Sequence, residues 1–269
     1  MLWFLVIEDA NLMYKGTISS RQNPLIVQAR NLRNKKDRDE SGLCFFEGEK
    51  LFEEAVKSGV DIKYVFSLPK HREYCSELLK NTNCELYEVN DSVYEKITCE
   101  NSPEGLFCVC NRFSREKSNT GLCIFLDGLS DPGNLGTIIR CAEAFGAEEV
   151  VTSEDSVDLY SPKTIRASMG SIFRMSVKES CDLLHEIEKK KSEGYRVYSS
   201  VLEDKSRTLD SIPKEDKVVF IIGNEANGIS GKIKNASDEK VYIPMCSGPE
   251  SLNASVAAAV IMWENRRIK

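Results

Sequence analysis

The chain has 269 residues, of which 41% are hydrophobic and 29% charged, and a formal net charge of −6. This is a globular, soluble composition with core enough for one large or two medium domains. The acidic balance argues against a nucleic-acid binder that is basic overall and leaves local patches open. Ten cysteines are scattered without a CxxC spacing, and the only histidines are His71 and His185. The cysteines read as reduced thiols of a cytoplasmic protein, and neither a metal site nor a histidine-based triad has support.

The opening MLWFLVI is apolar but has no basic flank, and Glu8 and Asp9 follow soon after. It is too short for a signal or a membrane span. Residues 1–18 read as an N-terminal extension, with Met13 as the expected natural start; an extra strand or a dimer contact is the alternative. Pro24 to Asn34 has the spacing of an amphipathic helix, and a charged loop, NKKDRDESG, follows it. Next come a strand LCFFEG, a helix LFEEAVKSG closed by Gly59, a strand IKYVFSL, a helix REYCSELLKN and a strand CELYEV. A helix DSVYEKIT with Asp91 as N-cap and a strand GLFCVCNRF complete a small αβ domain over residues 19–112. The polar run at 113–120 reads as a linker.

From residue 121 to 269 strands and helices alternate again. The strands are LCIFLD, EEVVTS, IFRMSV, YRVYSSV, KVVFIIG and KVYIP; the helices are GTIIRCAEAFGA, Pro162 to Ser168, Cys181 to Lys191, a short one near Ser230 to Asn235, and LNASVAAAVIMWENRRI. Such alternation predicts a mostly parallel α/β sheet. In that fold, ligands meet the loops at strand ends. The loop G-L-S-D-P-G-N-L-G lacks the G-x-G-x-x-G of a dinucleotide site, and G-N-E-A-N-G lacks the Lys of a phosphate-binding loop.

Three stretches in order carry a different signature. They are Asn134-Leu135-Gly136 with Arg140; Gly223, Glu225 and Gly228; and Ile243-Pro244-Met245 followed by Ser251-Leu252-Asn253, Ser255 and Ala257. Together they closely resemble the SpoU (TrmH) branch of the SPOUT RNA methyltransferases, over residues 121 to 269. The start Arg21 to Ile26 through FFEGEKLFEEA looks like the small substrate-binding domain of that family. The resemblance implies a parallel-sheet domain with a trefoil knot, a rare topology. It also implies methyl transfer from S-adenosylmethionine to a ribose 2′-hydroxyl of structured RNA, a homodimer with the active site built across it, and no metal or membrane. The N-terminal domain favours ribosomal over transfer RNA as substrate. A transfer-RNA 2′-O-methyltransferase and a catalytically inactive RNA-binding relative are the alternatives; a base or small-molecule methyltransferase is disfavoured by the N-L-G-x-x-x-R motif.

By matching position, Gly223, Asn224, Gly228, Ile243, Met245 and Leu252 are expected to bind the cofactor, and Asn134, Arg140, Glu225 and Asn253 to form the catalytic group. Each has an ordinary reading: Gly223 and Gly228 as turn glycines, Asn134 as a turn former, Glu225 as a solvated carboxylate, and Ser251 and Asn253 as helix caps. A guanidinium is not deprotonated in proteins, so Arg140 is expected to bind the target phosphate and steady charge on the 2′-oxygen. A valine at Gly223 is expected to fill the pocket and leave folding largely intact. Arg30, Arg33, Lys35, Lys36 and Arg38 form the most basic stretch and are candidate phosphate contacts. One face of the last helix, Val256, Ala259, Val260 and Trp263, is expected at the dimer contact.

Overall fold

A computed structural model describes residues 13–80, 82–203, 205–246 and 251–266. The apolar opening, residues 1–7, lies outside the described residues. Two compact units result: residues up to 113 with Tyr160–Arg166, and 114–159 with 167 onward.

The first unit is built on a five-stranded mixed sheet in the order β1-β4-β3-β5-β2, with β1 Tyr14–Ile18, β2 Leu43–Glu47, β3 Ile62–Ser67, β4 Glu85–Val89 and β5 Leu106–Asn111. Residues 14–18, read in the sequence as part of an extension, thus form an edge strand paired in parallel with β4. The helices are α1 Pro24–Asn31, α2 Lys35–Ser41, α3 Glu49–Lys57, α4 Arg72–Leu78 and α5 Asp91–Ile97. Ile26, Ala29, Phe45, Phe66, Val93, Ile97 and Phe107 share one buried cluster, in which the Phe45 and Phe107 rings stack at 4.7 Å.

Two local features differ from the sequence expectation. The charged run after Asn34 is a helix, not a loop. Gly42 closes it in the left-handed region at φ 68°, and Arg38 turns inward to cap carbonyls of the preceding turn. The N-cap of α5 is Asn90, whose side chain accepts from Val93 N, and Asp91 is the first helical residue.

The second unit carries a seven-stranded sheet in the order β10-β12-β9-β11-β6-β7-β8. Its strands are β6 Leu122–Asp127, β7 Glu149–Ser153, β8 Val177–Ser180, β9 Arg196–Ser200, β10 Arg207–Thr208, β11 Val218–Gly223 and β12 Glu239–Tyr242. Every pairing in it is parallel. The near-continuous apolar runs of β6 and β11 follow from burial on both faces. The helices are α6 Pro132–Ala144, α7 Pro162–Ala167, α8 Leu183–Ser192, α9 Gly231–Ala236 and α10 Ala254–Glu264; α7 falls almost wholly within the first unit. The strand expected over IFRMSV starts only at Val177, because Ser171–Phe173 is a turn of 3-10 helix.

This strand order places the candidate loops. From β6 the chain runs outward through β7 and β8, then returns on the other side of β6 as β9 and β11. The order therefore reverses between β6 and β11, where open α/β sheets have a crevice at the strand ends. Asp127 and Gly223, the last residues of those strands, are register partners. The loops 128–131 and 224–228 leave the sheet side by side.

Candidate active site

Hydrogen bonds stitch the two loops and the last helix together. Ser230 N donates to Asp127 Oδ2 at 2.6 Å, and Asn224 Nδ2 donates to Gly128 O at 2.7 Å. The Glu225 carboxylate accepts from Asn134 Nδ2 at 2.7 Å, from Ser130 Oγ at 2.8 Å and from Ser130 N at 3.3 Å. Asn253 Nδ2 donates to Asn134 Oδ1 at 3.1 Å. Partial burial works against the charge on Glu225, but the bonds from Asn134 and Ser130 outweigh it and hold its pKa below the ordinary carboxylate value.

Local sequence explains why these groups converge. Asp131 caps α6 by accepting from Asn134 N at 2.9 Å, with Pro132 in the first turn. That fixes Asn134 in the first turn, with its amide free to bridge Glu225 and Asn253. Asn253 serves both roles read for it: its Oδ1 caps α10 by accepting from Ser255 N and Val256 N, and its Nδ2 reaches Asn134. Ser251 is not the cap.

Beside this chain of bonds lies a cavity of about 370 Å³. All six residues expected to hold cofactor line it: Gly223, Asn224, Gly228, Ile243, Met245 and Leu252. Glu225 and Ser251 line it too, as do Leu202 and Tyr242, which the sequence did not single out. The two glycines serve different needs. Asn224 and Gly228 exchange two backbone hydrogen bonds, both 3.0 Å, closing a tight loop. A Cβ on Gly223 would stand 2.2 Å from Gly228 C and 2.4 Å from Gly228 O. A valine there collides with the loop backbone, so the expectation that it would spare the local fold is corrected. Gly228 is needed for its φ of +67°, and a Cβ there would meet open space.

Arg140 stands apart. It is exposed on α6, does not line the cavity, and its side chain makes no hydrogen bond or ion pair among the described residues. Glu225 does not bond Arg140; it holds Asn134 and Ser130. Ser130 was missed because a lone loop serine carries no signal; its reach to Glu225 exists only in the folded chain.

The basic stretch divides. Arg30, Lys35 and Lys36 are exposed. Arg33 is exposed but donates to Lys96 O at 3.2 Å and to Thr98 O. Arg38 is 3% exposed and donates to Leu32 O and to Arg33 O, at 2.5 and 2.9 Å. It cannot meet a phosphate, and its candidacy is withdrawn.

Cys123, Glu148 and Glu149 cluster with a geometry that could hold a metal ion. The ammonium of Lys190 occupies their midst, 3.1 Å from Cys123 Sγ, 3.0 Å from Glu148 and 2.5 Å from Glu149. All four are buried. Burial opposes the charge on Lys190, but Cys123, Glu149 and Glu148 outweigh it and raise the pKa. Among the described residues, no helix is long and apolar enough to cross a membrane.

Known proteins match this chain along most of its length. The SpoU rRNA Methylase family matches residues 121–263, and the MRM3-like substrate binding domain matches residues 23–108. The 23S rRNA (guanosine(2553)-2′-O)-methyltransferase RlmP of Bacillus subtilis is 30% identical over 249 residues, spanning 93% of this chain and 98% of its own. An uncharacterized tRNA/rRNA methyltransferase of Synechocystis is 31% identical, spanning 94% of each. The crystal structure of an rRNA methyltransferase from Sinorhizobium meliloti superposes with a TM-score of 0.84 at 27% identity, over 94% of this chain and 97% of that one; a second structure of that enzyme has AdoMet bound. Fold and site together define an RNA methyltransferase on a parallel α/β sheet. The chain belongs to the SpoU rRNA methylase family, with a substrate-binding domain of the MRM3-like kind ahead of the methylase domain.

Proposed function

We propose that this protein methylates a ribose 2′-hydroxyl of structured ribosomal RNA with S-adenosylmethionine as donor. The observation that carries the reading is the cavity at the ends of β9, β11 and β12, with the Asn253–Asn134–Glu225 chain at its side. The cavity fits such a donor. Ile222, Ile243, Leu252 and Ala257 offer apolar walls, while Asn224, Ser251 and the backbone of the closed loop offer donors and acceptors for a purine and an amino acid. The Glu225 carboxylate lines the same space, and its depressed pKa keeps it anionic opposite a cationic ligand. The donor supplies an electrophilic methyl group.

The chain's own residues do the rest. Asn134, its amide fixed by Glu225 and Asn253, is placed to orient the incoming ribose. Arg140 binds the target phosphate and steadies charge developing on the 2′-oxygen. Because Arg140 is away from the cavity of its own chain, we assign it to the site of a second copy. Homodimerisation is supported by the exposed Val256, Val260 and Trp263, 48%, 36% and 53% accessible along α10. Arg30, Arg33, Lys35 and Lys36 are assigned to RNA phosphates. The reading includes the family's trefoil knot, a division into a substrate-binding domain at 19–112 and a methylase domain from 121, and a cytoplasmic location. Among relatives, RlmP is named for a guanosine 2′-O-position of 23S rRNA, which favours ribosomal over transfer RNA.

Mapping 2′-O-methyl groups in total RNA from cells with and without the protein tests this. One ribosomal position that loses its methyl group, and regains it with purified protein and donor, is the expected result. A lost base methylation, a change confined to transfer RNA, or no change at all would each overturn the assignment.

A further inference from the structure

The segment leaving β9 forms one wall of the cavity through Ser200, Val201 and Leu202. Its attachment changes along its length. Ser200 pairs with Val241 in the sheet, and Val201 N donates to Val241 O at 2.9 Å. Beyond Val201 the backbone bonds turn local: Ser206 N donates to Glu203 O at 2.9 Å, and Glu203 N donates to Ser206 Oγ at 3.1 Å. Leu202 is 65% exposed, an apolar side chain on the cavity wall.

The next side chain adds a tie between this segment and the body of the unit. Glu203 takes Lys234 Nζ of α9 on Oε1 at 2.6 Å and Lys240 Nζ of β12 on Oε2 at 2.5 Å. One carboxylate so bridges two elements, each oxygen with its own ammonium. The bonds from Lys234 and Lys240 push its pKa down to about 2, so the bridge stays charged at neutral pH. A single exposed ion pair adds little, but a two-cation clamp fixes the direction of the backbone it holds.

We propose that Glu203 is a positioning residue for the cofactor cavity: clamped by Lys234 and Lys240, it presents Leu202 to the bound cofactor and sets its affinity. This rests on the methyltransferase reading above. Without the clamp, the apolar contact must be ordered at the moment of binding, at a cost in affinity of about two- to tenfold. The clamp is solvent-exposed, so salt screens it and the benefit shrinks as ionic strength rises.

The test is calorimetric titration of the full chain with S-adenosylhomocysteine, which lacks the positive sulfonium and so does not sense the lost carboxylate charge directly. Glu203→Gln should bind about two- to tenfold more weakly than the parent at low salt, with the gap closing at high salt. Leu202→Ala should weaken binding similarly, and the double variant no further, because both remove one contact. In turnover assays Glu203→Gln should raise the KM for the methyl donor and leave kcat in place. Parental affinity in Glu203→Gln, or losses that add in the double variant, would overturn the proposal alone. A parent protein that binds no S-adenosylhomocysteine would overturn the methyltransferase reading with it.

Discussion

Gly223 and Gly228 face each other across one loop, and replacing each with alanine should have opposite severity. At Gly228 the added Cβ meets nothing within 4 Å, so only the positive φ is penalised, at about 1–2 kcal/mol. At Gly223 the Cβ would lie 2.2 Å from Gly228 C and 2.4 Å from Ile229 N, distances no side-chain rotation relieves because the obstacle is backbone. The loop must open, breaking both bonds between Asn224 and Gly228. Two such bonds contribute roughly 1–3 kcal/mol together, which bounds the stability loss. Cofactor would then have to re-close the loop against the Cβ. An overpacking cost of about 1–3 kcal/mol corresponds to roughly five- to 150-fold weaker binding. Urea denaturation gives the stability change, and titration with S-adenosylhomocysteine gives the affinity. If Gly223→Ala binds as tightly as the parent, or Gly228→Ala is the more damaging of the two, close backbone approach does not shape the site.

Arg140→Ala should lower the single-turnover rate by about 10² to 10⁴, with cofactor affinity unchanged, and Asn134→Ala should show a smaller loss of the same kind. A parental rate in Arg140→Ala would remove it from the chemistry. Lys35→Ala with Lys36→Ala should weaken RNA binding and flatten the salt slope by about 0.7–1 per lost contact. Arg38→Ala should instead lower stability by about 1.5–3 kcal/mol, measured by denaturation, since Leu32 O loses a charged donor away from water. Lys190→Ala should cost about 3–5 kcal/mol by removing the buried cation that Glu148 and Glu149 share. Glu148 adds a pH signature. Burial opposes its ionisation, but Tyr195 and Lys190 hold its pKa below the ordinary 4.5. Its contribution is therefore complete above about pH 4.5 and is lost as pH falls through the lower folded value. Denaturation at stepped pH should show a slope there in the parent that is reduced in Glu148→Gln.

The sequence disclosed those parts of the fold whose burial follows a period. LCIFLD and VVFIIG are strands because they are covered on both faces, and the alternation of strands and helices set the parallel sheet. It did not disclose α2, because KKDRDES has no apolar stripe; the buried member of that helix is Arg38, which satisfies carbonyls instead of packing on a core. β10 has only two residues, too few for any pattern. In the site, Gly223, Ile243 and Leu252 were legible through their motifs. Glu225's partner was not, since which donor a carboxylate finds depends on how loops 95 residues apart in sequence meet. Leu202 and Glu203 were invisible for the same reason, an ordinary loop dipeptide made specific by two lysines from other elements.

The bond between Asn253 and Asn134 spans 119 residues of chain. During synthesis at about 5–20 residues per second, Asn134 and Glu225 can emerge and find each other before the last helix exists. The amide of Asn134 lacks its second anchor until residue 253 has left the ribosome and α10 has docked. A late, long-range contact of this kind is slow to form, because loop closure has to precede any reward from packing. The nascent chain would therefore pass through a stage in which its sheet is folded while the Asn134 amide is held from one side alone.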